Sequence, residues 1–131
     1  MLTEHEIEFR VRYKETDAMG YLHHANYAVY FEMGRTELLR AQGGNYRAME
    51  EAGLFMVVVR LNTHFRAPAR YDDLLKLVTR IKRVGAAKLE HEYFLYREGL
   101  LLSQGESVLA CVDSAGKVQP IPDAFRGPAE D

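Results

Sequence analysis

The sequence predicts an α+β chain in which a five-stranded antiparallel β-sheet packs on one long α-helix, in the order β-α-β-β-β-β. Apolar side chains alternate with a period of two in five segments, and they recur every third or fourth residue in only one long segment. The links between the last three alternating segments are too short for crossovers, so those strands form an antiparallel meander.

Residues 5 to 13 set Ile7, Phe9, Val11 and Tyr13 on one face and charges on the other, the pattern of a half-buried strand. From about Asn26 to Ala41 the apolar positions Tyr27, Tyr30, Phe31, Leu38 and Leu39 follow the helical period, with Asn26 as candidate cap and Gly43-Gly44 as the stop. Gly34 falls mid-helix, at a cost of about 0.5–1 kcal/mol relative to alanine, which close approach to a sheet or a partner helix would offset. Residues 45 to 52 allow a short second helix before Gly53. Val57, Val59, Leu61, Thr63 and Phe65 alternate until Pro68, which cannot donate to a ladder. Leu75, Leu77, Thr79 and Ile81 follow, then Leu89, His91, Tyr93 and Leu95, then a run from Leu100 to Val112, with turns at Val84-Gly85 and Glu98-Gly99. One helix covers one face only, so a second copy sharing the sheet is expected to manage an exposed edge. Past Pro120-Ile121-Pro122 the chain turns polar, and the expectation is one domain over 1–119 and a loose tail over 120–131.

A length of 131 residues with 47% apolar content suits one core. Seventeen Lys and Arg against nineteen Asp and Glu leave a net charge of −2, so there is no general basic field for nucleic acid or an anionic membrane. An anionic ligand must meet a local cluster. Cys111 is the lone thiol and sits in an apolar run, which fits a reducing compartment. The first nine residues carry acids where a secretory leader needs basic residues, and no stretch reaches the roughly 18 apolar residues of a membrane span. A cytoplasmic protein without membrane insertion is expected. Metal spacing and cofactor motifs are absent, and His23-His24 alone is no metal site, so none is expected.

The chemistry concentrates between the first strand and the helix, in Tyr13-Lys14-Glu15-Thr16-Asp17 through Gly20 to His24-Ala25-Asn26-Tyr27. A carboxylate in a loop ahead of a helix start lies near that helix's unpaired N–H groups, which can stabilise a developing oxyanion. This segment resembles the hotdog-fold acyl-CoA thioesterases of the 4-hydroxybenzoyl-CoA thioesterase type. The resemblance runs from Phe9 to about Val112 and is densest in Thr16-Asp17, Gly20, His24-Ala25-Asn26-Tyr27, Phe31-Glu32 and Arg35. Phe65-Arg66-Ala67-Pro68-Ala69-Arg70 with Asp73, and Cys111-Val112-Asp113, extend it.

The resemblance implies a sheet wrapped around the central helix and a homodimer that forms a homotetramer. It also implies hydrolysis of an acyl-CoA, with Asp17 as nucleophile or general base and the backbone N–H at His24 polarising the carbonyl. The side chains of Tyr13 and His24 are then expected to orient Asp17 or its water, and Gly20, Asn26, Tyr27 and Arg70 to meet the substrate. His23 stands where an aromatic residue is more usual, which bears on the acyl pocket.

Each residue also has a plainer reading. An Asp after a Thr ahead of a helix is often only an Asx-turn. Glu32 could itself act as nucleophile or base, but Arg35 lies three residues on and favours a structural ion pair. Arg60, Arg66, Arg70, Lys82, Arg83 and Lys88 lie near strand ends and turns, where CoA phosphates could be held or the charges simply solvated. The Gly-x-Ser-x-Gly elbow of serine-dependent thioesterases is absent. A non-catalytic domain that binds acyl-CoA or acyl carrier protein, and a hydratase or dehydratase using His24 with Glu32, are the competing functions.

Overall fold

The structure is a computed structural model that describes residues 3–126. Its elements are β1 (Glu4–Arg10), α1 (Ala25–Ala41), α2 (Tyr46–Glu51), β2 (Leu54–Phe65), β3 (Leu74–Val84), β4 (Lys88–Arg97), β5 (Leu100–Asp113) and β6 (Val118–Gln119). The five long strands form one antiparallel sheet in the order β1-β3-β4-β5-β2. The two-residue β6, absent from the sequence reading, pairs Gln119 with Cys111 just beyond the Ala110–Lys88 pair where β4 begins. This is the hotdog arrangement of a sheet curled on a central helix.

The period of two decides what is inside. Leu75, Leu77 and Thr79 of β3 face inward with Leu89, His91, Tyr93 and Leu95 of β4, and all are buried. α1 lies on β1, β3 and β4, and Tyr30, Phe31, Leu38 and Leu39 enter the core. Gly34 makes the close approach its position suggested: a Cβ there would collide with Thr79 Oγ1 and come 2.8 Å from a Leu77 methyl. Gly105 serves the same end on β5, since a Cβ would stand 2.5 Å from the Phe31 ring. Phe31 stacks on Tyr93 with centroids 4.4 Å apart.

Three expectations are corrected. β1 ends at Arg10, and Tyr13 sits in a short 3₁₀ turn with its side chain 78% exposed, while Val11 alone of the pair stays buried. Tyr13 leaves the strand face because Glu15, two residues on, is drawn into the core by polar partners described below. Asn26 does not cap α1: it lies inside the helix, and the Ala25 N–H is taken at 3.1 Å by His23 Nδ1. The tail is not loose over its first part, because Ile121 and Phe125 are buried against Leu39, Leu89 and Leu109. Two apolar side chains spaced four apart are enough to dock a short turn that looks polar on average; residues 127–131 lie outside the described residues.

β2 has a neighbour on one side only, β5. Its 12 residues leave Val57, Val58, Val59, Leu61 and Phe65 exposed. Among the described residues, no helix is long and apolar enough to cross a membrane.

Candidate active site

The segment between β1 and α1 is a small hairpin set against the start of the helix. Thr16 bridges Leu22, Asp17 N–H donates to the Tyr21 carbonyl at 2.8 Å, and His23 N–H donates to the Glu15 carbonyl at 2.8 Å. Gly20 closes the turn with its N–H on the Asp17 carbonyl and a φ of 80°, a left-handed value that a side chain disfavours. Gly20 is therefore a turn former in this fold.

Asp17 uses one carboxylate oxygen to hold this turn. Oδ1 accepts the N–H groups of Met19 at 2.9 Å and Tyr21 at 3.1 Å, so the Asx-turn of the plainer reading is present. Oδ2 has no partner among the described residues, and the residue is exposed. One oxygen is fixed and the other is available.

At the helix start, the Ala25, Asn26 and Tyr27 N–H groups are satisfied by His23 Nδ1, the His23 carbonyl and the His24 carbonyl. The His24 N–H has no acceptor among the described residues. Of the amides that open α1, it alone is left for another group. The His24 side chain is exposed and stacks on His23, centroids 4.2 Å apart. His23, expected to bear on an acyl pocket, uses Nδ1 to accept the first N–H of α1, that of Ala25.

Asn26 ties the helix to the hairpin, its Nδ2 donating to the Glu15 carbonyl at 3.0 Å. Tyr27 is buried and meets Phe65 edge-on at 4.8 Å, so it joins the helix start to the end of β2. Tyr13 turns outward onto Tyr71, centroids 5.4 Å apart, and its contribution to the loop is a carbonyl that accepts Thr16 Oγ1 at 2.7 Å. Arg70 lies beside the Asp17 turn: its guanidinium covers the Tyr21 ring at 4.6 Å and donates to the Tyr21 hydroxyl at 3.3 Å. Glu32 is 70% exposed and 3.9 Å from Arg35, whose own side chain is largely buried, so the pair has one solvated end and one buried end.

The organiser of the loop is a residue that sequence reasoning passed over. Glu15 is 3% exposed, and its carboxylate accepts Arg12 N–H at 2.8 Å, the Arg12 guanidinium at 3.0 Å and the Tyr30 hydroxyl at 2.9 Å. Burial alone would raise this carboxyl, but the hydrogen bonds from Arg12 and Tyr30 and the Arg12 charge bring it below the usual carboxylate range. The same bond, with burial, raises the Tyr30 hydroxyl.

The six cations singled out from the sequence divide by their partners. Lys82 pairs with Glu106, Arg66 with Gln104 and Arg70 with Tyr21. Arg60, Arg83 and Lys88 have no partner among the described residues, and they converge on a groove of about 700 Å³ with Val108, Ala110, Ala86, Ala87 and one carboxylate, Glu90. Arg60, Val108, Glu90 and Arg83 stand in one row across four strands, on the face away from α1. Elsewhere on the sheet, Lys76, Arg80 and Arg97 each meet an acid.

An antiparallel sheet curled on one helix is the hotdog architecture, and the hairpin ahead of that helix leaves one carboxylate oxygen of Asp17 and the His24 amide available. The family model of the thioesterase-like superfamily matches residues 11–128. The acyl-CoA thioesterase YbgC of Haemophilus influenzae is 39% identical over 113 residues, covering 86% of this chain and 82% of that protein. A probable thioesterase from Bartonella henselae superposes with a TM-score of 0.87 at 32% identity, over 91% of this chain and 99% of that one. A hypothetical protein, TT1821 of Thermus thermophilus, superposes with a TM-score of 0.87 at 38% identity, over 92% and 94% of the two chains. The chain belongs to the thioesterase-like superfamily and is a thioester hydrolase.

Proposed function

We propose that the protein hydrolyses an acyl-CoA to the free acid and CoA, with Asp17 as nucleophile or general base and the His24 N–H as oxyanion donor. The observation that carries this reading is the pairing of two available groups, Asp17 Oδ2 and the His24 N–H, in a loop where the neighbouring polar atoms are engaged. Attack on the thioester carbonyl moves its electron pair onto oxygen, where an amide aimed in advance is most effective. Collapse expels a CoA thiolate, whose conjugate acid has a pKa of about 8.5 and needs little protonation to leave. If Asp17 attacks directly, an acyl-carboxylate anhydride forms and water then cleaves it; if it acts as base, it takes the proton of the attacking water.

The other expected residues take supporting parts in this reading. Gly20 and Asn26 shape the loop, Tyr27 with Phe65 lines the approach to it, and Arg70 borders the Asp17 turn. Tyr13 and His24 contribute through their backbones. The groove of Arg60, Arg83 and Lys88 suits the phosphates of the carrier, since unpartnered cations over an apolar floor favour a charged ligand with a planar base.

In one chain that groove meets β2 mid-strand, at Val59 and Arg60, on the face away from α1, while the start of α1 beside the Asp17 loop reaches β2 at Phe65 through Tyr27. A homodimer formed by antiparallel pairing of β2 with β2 brings the Phe65 end of one copy beside the Leu54 end of the other, and it covers the exposed apolar edge. A monomeric mass by light scattering at assay concentration would overturn this assembly. The same reading places the protein in the cytoplasm, where acyl-CoA is made and used.

The test is release of CoA thiol from a panel of aromatic, short-chain and long-chain acyl-CoAs by wild type and Asp17→Asn. Turnover should fall by about 10²–10⁴-fold in the variant. A folded Asp17→Asn protein with full activity sinks the assignment.

A further inference from the structure

The loop that carries Asp17 is fastened at both ends to a single turn. Before the loop, Val11 N–H donates to the Asp73 carbonyl at 3.0 Å and Asp72 N–H returns to the Val11 carbonyl at 2.9 Å. After the turn at Gly20, Tyr21 bridges Arg70 and the Leu22 N–H donates to the Ala69 carbonyl at 2.8 Å. The shape of residues 69–73 therefore decides where the Asp17 hairpin sits relative to α1.

That shape is held by one carboxylate. Asp73 Oδ2 accepts the Arg70 N–H at 2.8 Å and Arg97 Nη1 at 3.1 Å, and the same Arg97 nitrogen donates to the Pro68 carbonyl at 2.9 Å. Both side chains are mostly buried, at 25% and 29% exposure, so these charge-assisted bonds are less screened than those of a surface pair. Arg97 ends β4, an interior strand of the sheet, which makes it a firm anchor. Asp72 adopts a left-handed φ of 69° inside this turn, and Arg10 Nη1 holds its carbonyl at 2.8 Å. A turn with a strained non-glycine residue needs such bracing to stay in one shape.

We infer that Asp73, clamped by Arg97, is a positioning residue for Asp17. The connection runs from Arg97 to the Asp73 carboxylate, to the Arg70 backbone, across the bridge to Tyr21, and from the Tyr21 N–H to Asp17 Oδ1. Asp73 makes no bond to Asp17 itself and acts only through the turn. The inference rests on Asp17 being the reacting carboxylate.

An ion pair that merely stabilises the fold would change the melting temperature and leave turnover per folded molecule untouched. A positioning residue changes turnover in folded protein, because a displacement of about 1 Å at a reacting group can cost about 10²-fold. The experiment is steady-state CoA-thiol release on the best acyl-CoA of the panel, by wild type, Asp17→Asn, Asp73→Ala and Asp73→Asn, at a temperature where circular dichroism shows each one folded. Asp73→Ala should lose about tenfold to hundredfold in kcat with KM within about twofold of wild type. Asp73→Asn, which keeps an acceptor for the Arg70 N–H, should recover part of that loss.

Wild-type kcat in folded Asp73→Ala beside an inactive Asp17→Asn overturns the inference and leaves the Asp17 assignment standing. A loss confined to KM overturns it too, since that would make Asp73 a substrate contact. Should Asp73→Ala fail to fold, Arg97→Met removes the clamp from the other side: the same fall in kcat at constant KM supports the inference, and unchanged kcat overturns it. Full activity in Asp17→Asn removes the parent reading, and is seen independently of either clamp variant.

Discussion

Replacing Glu15 by alanine should destabilise the protein by about 1–3 kcal/mol, and the magnitude follows from what the carboxylate leaves behind. The Tyr30 hydroxyl is in a residue 1% exposed and would lose its acceptor, which costs about 1–3 kcal/mol for a buried orphan. The Arg12 guanidinium is largely exposed and returns to water, so its lost bond adds little. On a chain of this size that loss should lower the melting temperature by roughly 3–15 °C. Tyr30→Phe in the Glu15→Ala background removes the orphan hydroxyl and should restore about 1–2 kcal/mol. Urea unfolding followed by circular dichroism measures all three proteins. The carboxyl's value in the fold lies below its ordinary 4.5, so its contribution is full above pH 4.5 and is lost as pH falls through the folded value. The gap between wild type and Glu15→Ala should therefore close on acidification from 4.5 downward. A variant within about 0.5 kcal/mol of wild type at neutral pH, or no recovery from Tyr30→Phe, would refute the role given to this carboxylate.

Two further outcomes are expected. Arg83→Ala with Lys88→Ala should raise KM for acyl-CoA by about tenfold, leave kcat near wild type and flatten the salt dependence of KM, and an unchanged KM would remove the groove from substrate binding. Burial, and secondarily the Arg35 charge, lowers His91 to about 3 from an ordinary 6.5, so the unfolded chain binds the extra proton between those values and stability falls with pH in that window. By pH 5 the loss should reach about 2 kcal/mol, read as the difference in urea stability between wild type and His91→Gln at pH 7 and pH 5; equal pH slopes would refute it.

β3, β4, β5 and the long helix were legible because their periods are set by burial on one face, and burial of Leu75, Leu77, Leu89, Tyr93 and Leu95 is what the sheet then shows. Gly34 was legible for the same reason, as a residue costly in a helix unless something approaches it. Glu15 was not, since its reason for being buried is Tyr30, fifteen residues away and visible only after the helix has docked. Asn26 is the stronger cap by residue type, but the helix starts at Ala25 with His24 in the cap position, and His23 meets the Ala25 N–H once the hairpin holds its backbone to Glu15. Asp17 and His24, to which the proposed function assigns the chemistry, stand out by the pattern around them. The sorting of six cations into paired and unpaired needed the sheet register, which places Lys82 within reach of Glu106 and leaves Arg83 facing the groove.

In the proposed function, the single chain supplies one wall of the reaction site. Asp17 stands in solvent, and a hydrated carboxylate is a poor nucleophile, because water must be stripped from it before it can meet a carbonyl. Tyr27 and Phe65 give that wall an apolar side and connect it to the end of β2. β2 in turn leaves its outer edge and five large apolar side chains uncovered. The exposed apolar edge and the carboxylate that the proposed chemistry would have to shield are thus joined through one strand and one aromatic contact. An occupant that covered the β2 edge would stand beside Phe65 and shield that carboxylate as well. On this argument, assembly is part of the proposed catalytic machinery, because the hairpin can aim Asp17 but cannot by itself keep water away from it.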